Sequence, residues 1–114
     1  MTNSKAGELS HVSYQILVAL GDSPKHGYGV MRDIETRSAG RMQVLPGTLY
    51  STIKKMLAHG VIEECAPPAK ERDVDERRRY YRLTSRGREV ASKETERMAL
   101  LVRIARKKGF APTR

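Results

Sequence analysis

Gly47, Thr48, Ser51, Lys54 and Lys55 fall on one side of any helix that starts at Pro46 and turns about 100° per residue. The set combines a residue without a side chain, two hydroxyls and two ammonium groups. Small residues permit close approach, hydroxyls donate to phosphate oxygens or to base edges, and ammonium groups neutralise phosphate or meet a guanine edge. Downstream, Arg77-Arg78-Arg79-Tyr80-Tyr81-Arg82-Leu83-Thr84 interleaves arginine with tyrosine. Arg77, Arg78, Arg79 and Arg82 can sit on phosphates across a minor groove. The chemistry on offer is recognition of a nucleic acid. Taken alone, the helix reads first as the polar side of an ordinary surface helix and is weak evidence for DNA, and the arginine run has a solvated strand end as its plain alternative; their combination favours DNA. Glu71, Asp73, Asp75 and Glu76 precede the run, so the expected contacts lie on the strand arginines, with the acids pairing with neighbouring arginines or holding the loop tip off DNA.

The charge balance agrees. The 114 residues carry 22 basic and 13 acidic side chains, a net +9. The excess is spread along the chain, but residues 77–88 hold six arginines and no acid. Such a patch attracts polyanions and makes binding depend steeply on salt. Cys65 is the one cysteine, which rules out an intrachain disulfide and a thiolate metal cluster; an inert strand position is expected for it rather than a redox switch. His11, His26 and His59 lack metal-ligand spacing, so no metal or other cofactor is expected. No Gly-rich phosphate loop, nucleophile elbow or partnered acid pair occurs, and enzyme chemistry is unsupported. With no apolar leader or span of about 18 apolar residues, the expectation is a soluble cytoplasmic protein that does not enter a membrane.

The elements that must hold these residues follow from periodicity and punctuation. Leu9, Val12, Ile16, Leu17 and Leu20 recur at helical steps, ending at Gly21. A second helix starts between Pro24 and Gly27, with Tyr28, Met31 and Ile34 on one face and Arg32, Asp33 and Arg37 on the other. His26 is placed at this helix start, near the DNA backbone, with Tyr28 beside it. Residues 41–45 fit either a brief strand or an extended link. The third helix opens on Pro46, whose missing N–H would be unpaired there anyway. Leu49, Ile53, Met56 and Leu57 form its apolar stripe, and Gly60 ends it. Tyr50, at the stripe's edge, either packs against the following hairpin or gives its hydroxyl to a phosphate. Residues 61–65 and 78–83 read as two strands of a long hairpin. Of Tyr80 and Tyr81, one is expected in the core and the other at the surface. Thr84 or Ser85 caps a last helix that runs to about Lys108.

That last helix is apolar on most of its faces around Met98-Ala99-Leu100-Leu101-Val102 and Ile104-Ala105. One stripe can be buried by its own domain; the remainder asks for a second surface. We expect a homodimer whose contacts include Val90, Met98, Leu101, Val102 and Ala105; the plain alternative is a helix folded back on its own domain. Three helices, a hairpin and a terminal helix make a mainly α protein with a small β-hairpin, a winged helix-turn-helix plus a C-terminal dimerisation helix. The expected divisions are a flexible arm at 1–8, a DNA-binding domain at 9–84, the dimerisation helix at 85–108 and a basic tail at 109–114.

The pieces together resemble the PadR family of transcriptional regulators. The residues carrying the resemblance are His26-Gly27-Tyr28-Gly29-Val30, Gly47-Thr48-Leu49-Tyr50, Gly60-Val61-Ile62, and Arg77-Arg78-Arg79-Tyr80-Tyr81-Arg82-Leu83-Thr84 followed by Gly87. The resemblance implies a dimer that binds an inverted repeat in promoter DNA, usually as a repressor, and a single terminal helix resembles the short-tailed branch. Two features depart from the family pattern. Leu45 stands where a small polar cap is usual, and the loss of such a cap costs about 1 kcal/mol. The chain has no tryptophan and one phenylalanine, Phe110, so the aromatic drug pocket of some members does not carry over and no small-molecule effector is supported. The same charges would serve a basic nucleic-acid-associated structural protein without operator specificity, and the same fold a winged-helix protein-interaction module.

Overall fold

A computed structural model of the chain describes residues 10–69 and 78–110. The expected arm, Arg77 with the acidic loop before it, and the last four residues of the expected tail lie outside the described residues. Four helices and three short strands follow one another among the residues described: α1 His11–Ala19, β1 Lys25–His26, α2 Gly27–Arg37, α3 Pro46–Ala58, β2 Ile62–Cys65, β3 Tyr80–Leu83 and α4 Ser85–Lys107.

Each helix start has a local cause. Ser10 Oγ accepts from Ser13 N–H at 3.0 Å and caps α1. His26 Nδ1 accepts from Gly29 N–H at 3.1 Å and caps α2, so the imidazole does what a serine or aspartate does elsewhere. Thr84 caps α4 by accepting from Gly87 N–H at 3.0 Å. Only α3, among these four, starts without a side-chain cap, with Leu45 at the cap position and Pro46 following it.

Three of the helix ends use the same device. Behind α3, Val61 N–H reaches Met56 O and Gly60 N–H reaches Leu57 O, with Gly60 at φ +73°. Gly109 at φ +84° closes α4 in the same way. The end of α2 repeats the pattern, Gly40 N–H to Glu35 O and Ala39 N–H to Thr36 O, but places Ala39 at φ +56°. A Cβ in that left-handed position costs roughly 1–2 kcal/mol, and glycine is the usual occupant. Ala39→Gly is therefore expected to stabilise the fold by about 1 kcal/mol and raise the melting midpoint by several degrees. A lower midpoint in a thermal melt would contradict this.

The hairpin is present, and a third strand joins it. The sheet order is β1-β3-β2, all antiparallel, with Lys25 opposite Tyr81, His26 opposite Tyr80, and Ile62 to Cys65 opposite Leu83 to Tyr80. β1 is two residues long and has no period that a sequence could display. Its presence corrects the expectation for the tyrosines: both Tyr80 and Tyr81 are buried, because β3 is the central strand. Tyr81 joins the main core, whereas Tyr80 is covered by the His26 ring, edge-on at 5.1 Å between centroids.

One core holds the elements together. Ile16 and Leu17 of α1, Val30 and Ile34 of α2, Leu49, Ile53 and Met56 of α3, and Ile62 of β2 are all buried within it. The face of α2 turned inward is thus the Val30 and Ile34 side; Tyr28, expected with the apolar residues, is exposed, and Met31 is partly buried. Residues 41–45 form an extended link without a strand. α4 docks through its first turns. Gly87 is buried against the Val61 carbonyl, and Val90 and Ala91 pack on the core. Beyond them α4 loses its cover, and Leu100, Leu101, Val102 and Ile104 are exposed.

Candidate nucleic-acid interface

The buried stripe of α3 fixes which way its other residues point. With Leu49, Ile53 and Met56 inside, Gly47, Thr48, Ser51, Lys54, Lys55 and Ala58 are all exposed. The hydroxyl of Ser51 bonds back to Thr48 O at 3.2 Å, which leaves its oxygen available as an acceptor. Lys54 and Lys55 form no ion pair among the described residues. The first turn of α3 contains no acid. This face is therefore cationic and open.

Tyr50 stands beside this face and is partly exposed. Its phenol end lies over Gly27 at the start of α2, where a Cβ would come within 2.3 Å of the Tyr50 hydroxyl oxygen. Gly27 is thus the residue that lets the third helix close onto the second. Burial pushes the Tyr81 phenol up, with the nearby Glu64 carboxylate and Tyr50 acting in the same direction. Of the two roles open to Tyr50, packing is present, against the start of α2, and the side chain stays partly exposed.

At the start of α2 a second group of candidates meets. Arg78 Nη1 lies 3.0 Å from His26 Nε2, and the other ring nitrogen of His26 is already the helix cap. The Tyr28 ring runs parallel to that of His26 at 6.3 Å, and the Arg32 guanidinium lies 5.7 Å from the Tyr28 centroid. His26, Tyr28, Arg32 and Arg78 thus share one polar, aromatic and basic surface, reached from the core side by β1.

Arg79 and Arg82 of the wing are paired with acids of β2. Arg79 Nη1 contacts Glu64 at 3.1 Å, and Arg82 Nε contacts Glu63 at 2.8 Å. The Arg82 pair joins β3 to β2 across the sheet, and the Arg79 pair ties the residue just before β3 to the same strand β2. The Glu63–Arg82 pair follows directly from the strand register, a signal the sequence withholds until the hairpin's turn is located. The acids expected to pair with arginines were those of the loop, which lie outside the described residues, as does Arg77. On β2, burial pushes the Cys65 thiol up, against a smaller opposing effect of Arg82; a weaker acid is a poorer source of thiolate.

The expected dimer residues divide. Val90 is partly buried against its own core, Met98 and Ala105 are partly covered, and Leu101 and Val102 are exposed. Glu94 is a buried acid on the same helix, and hydrogen bonding to Arg97 holds its carboxyl below the usual range. Among the described residues no group of histidine, cysteine or acids could hold a metal ion, and no helix is long and apolar enough to cross a membrane.

Comparison with known proteins places this arrangement. The sequence model of the transcriptional regulator PadR-like family matches residues 16–93. A transcriptional regulator from Clostridium thermocellum superposes with a TM-score of 0.71 at 22% identity, over 94% of this chain and 95% of that one. A PadR family transcription regulator from Clostridium difficile gives 0.72 at 19% identity, over 86% and 97%. At such identities the likeness is one of fold. An uncharacterized 37.1 kDa protein in a transposon of Streptomyces fradiae is 35% identical over 86 residues, which are 75% of this chain; the chain spans only 22% of that protein's length.

Proposed function

This chain belongs to the transcriptional regulator PadR-like family, a family of regulators rather than enzymes, and from that premise we propose that it acts as a homodimer on an inverted repeat in promoter DNA, as a repressor working in the cytoplasm. The observation that carries the reading is the exposed face of α3. Its buried stripe anchors it to the core, and its outward side holds small residues, hydroxyls and two lysines with no acid in the first turn. In the helix-turn-helix docking geometry such a helix lies in the major groove. Tyr28, Tyr50, His26 and Arg78 then meet the flanking backbone.

The wing contributes less to initial attraction than its arginine count suggests. Glu63 and Glu64 offset Arg82 and Arg79. Exposed ion pairs are weak, so phosphates can replace the carboxylates on contact. Lys54, Lys55 and Arg78 are the principal phosphate contacts, while Thr48 and Ser51 sit nearer base edges. A solvated surface without this function would need none of that separation.

The test begins by selecting bound fragments from random duplex DNA, which should yield an inverted repeat whose half-sites lie about one helical turn apart, roughly 34–36 Å. Selection of unrelated sequences would instead support a nucleic-acid protein without operator specificity. On the selected operator, Arg78→Ala is expected to weaken binding to all sequences and to make the salt dependence shallower by about one unit per half-site. A variant that lost only operator affinity and kept its salt slope would reverse the roles given to Arg78 and Ser51.

A further inference from the structure

Leu45 occupies the cap position of α3, is 71% exposed and makes no side-chain hydrogen bond. A serine, threonine, asparagine or aspartate there would accept a backbone N–H of the first turn. The direction of the side chain is nonetheless well fixed. The backbone at Leu45 is extended, at φ −69° and ψ 150°. Its neighbour Val44 is buried in the core, and the carbonyl of Leu45 itself accepts from Leu49 N–H at 2.9 Å. Alternate residues of an extended segment point to opposite sides, so with Val44 inside, Leu45 must point out.

The surface it projects from is open. Pro46, Gly47 and Thr48 are exposed, and a Cβ built on Gly47 would have nothing within 4 Å. An isolated leucine among small and polar neighbours is too little for a stable contact with a second protein, which takes some 20–30 residues a side. It does suit DNA. The N-terminal residues of a groove-reading helix approach base edges, and the apolar group displayed on those edges in the major groove is the C5-methyl of thymine. Resting on the proposed DNA-binding reading, we infer that Leu45 packs on a thymine methyl in each half-site and so helps set the operator sequence.

Deoxyuridine in place of thymidine removes that methyl and leaves every hydrogen-bonding group unchanged. Each thymine of a duplex selected by the wild-type chain is replaced in turn, and affinity is measured for wild type and for Leu45→Ser. One position per half-site is expected to lose about fourfold in wild-type affinity, the effect of removing one buried methyl. Leu45→Ser should bind the thymine and uracil forms equally, while melting no lower than wild type, since serine can cap the helix. If no thymine shows the loss, or if the loss persists undiminished in Leu45→Ser, the inference is overturned while DNA recognition stands. If the wild-type chain selects no duplex, both readings fall together.

Discussion

Leu101→Glu is expected to convert the proposed homodimer into a monomer and to lower operator affinity by a hundredfold or more. Leu101 is 57% exposed, at the middle of a stretch in which Leu100, Val102 and Ile104 are exposed as well. These residues do not lie on one narrow stripe; they cover more than half the circumference of α4 beyond Met98. The chain's own core stops short of them, since its last packed members on this helix are Val90 and Ala91. A carboxylate buried without a partner costs several kcal/mol, and a two-fold interface repeats the cost in each protomer. Because each 1.4 kcal/mol is a factor of ten, dimerisation would be weakened by orders of magnitude. The substitution is harmless to the isolated protomer, where position 101 already meets solvent, so the thermal midpoint of the monomer should not drop as it would after damage to the core. Sedimentation measures the first outcome and operator titration the second. A dimer unchanged by the substitution would contradict the placement of the interface.

Gly87→Ala has the largest expected effect on the fold itself. A Cβ at this position would stand 1.9 Å from the Val61 carbonyl oxygen and 2.9 Å from its carbon. Both atoms belong to the backbone, and that backbone is tied down. Thr84 N–H donates to the same Val61 oxygen at 3.1 Å, and the Thr84 hydroxyl donates to Gly60 O at 2.6 Å. Relief requires α4 to move away from the start of β2, which breaks these bonds and lifts Val90 and Ala91 off the core. Overpacking of a tight site costs about 1–3 kcal/mol, and more where backbone must shift. A loss of about 3 kcal/mol is expected, or about ten degrees or more in melting midpoint. Gly47→Ala provides the contrast: its open surroundings predict no loss of stability, and a similar drop in both variants would contradict the packing argument.

Much of this arrangement is legible in the residues. The steps of Leu49, Ile53, Met56 and Leu57 dictate the buried side of α3, and with it the open face of Thr48, Ser51, Lys54 and Lys55. Pro46 and Gly60 mark the ends of that helix, and the Thr84-Ser85 pair marks the start of α4, where Thr84 proves to be the cap. What stays hidden depends on partners distant in the chain. β1 exists because Lys25 and His26 pair with Tyr81 and Tyr80, and two residues cannot advertise a strand. The burial of both tyrosines follows from that same unseen neighbour. Tyr28 departs from its expected apolar face because α2 turns its Val30 and Ile34 side to the core, with Gly27 close against Tyr50 of α3, leaving the Tyr28 ring to Arg32 and His26. The pairing of Arg79 and Arg82 with Glu64 and Glu63 depends on register, which the long connection between the strands conceals. Leu45 is legible as a missing cap; its fixed outward direction depends on Val44 being buried beside it.

If the open face of α3 lies in the DNA groove, Ser51→Phe puts a bulky ring between that helix and the base edges. Ser51 is exposed, and its one hydrogen bond is to the carbonyl of Thr48 within the same helix, so a larger side chain leaves the core intact. On the selected operator and on a scrambled duplex of the same length, each titrated over a range of salt, operator affinity is expected to fall at least about tenfold more than scrambled-duplex affinity, with the salt slope unchanged because no cationic contact is lost. Equal losses on both duplexes, or no loss on either, would contradict it.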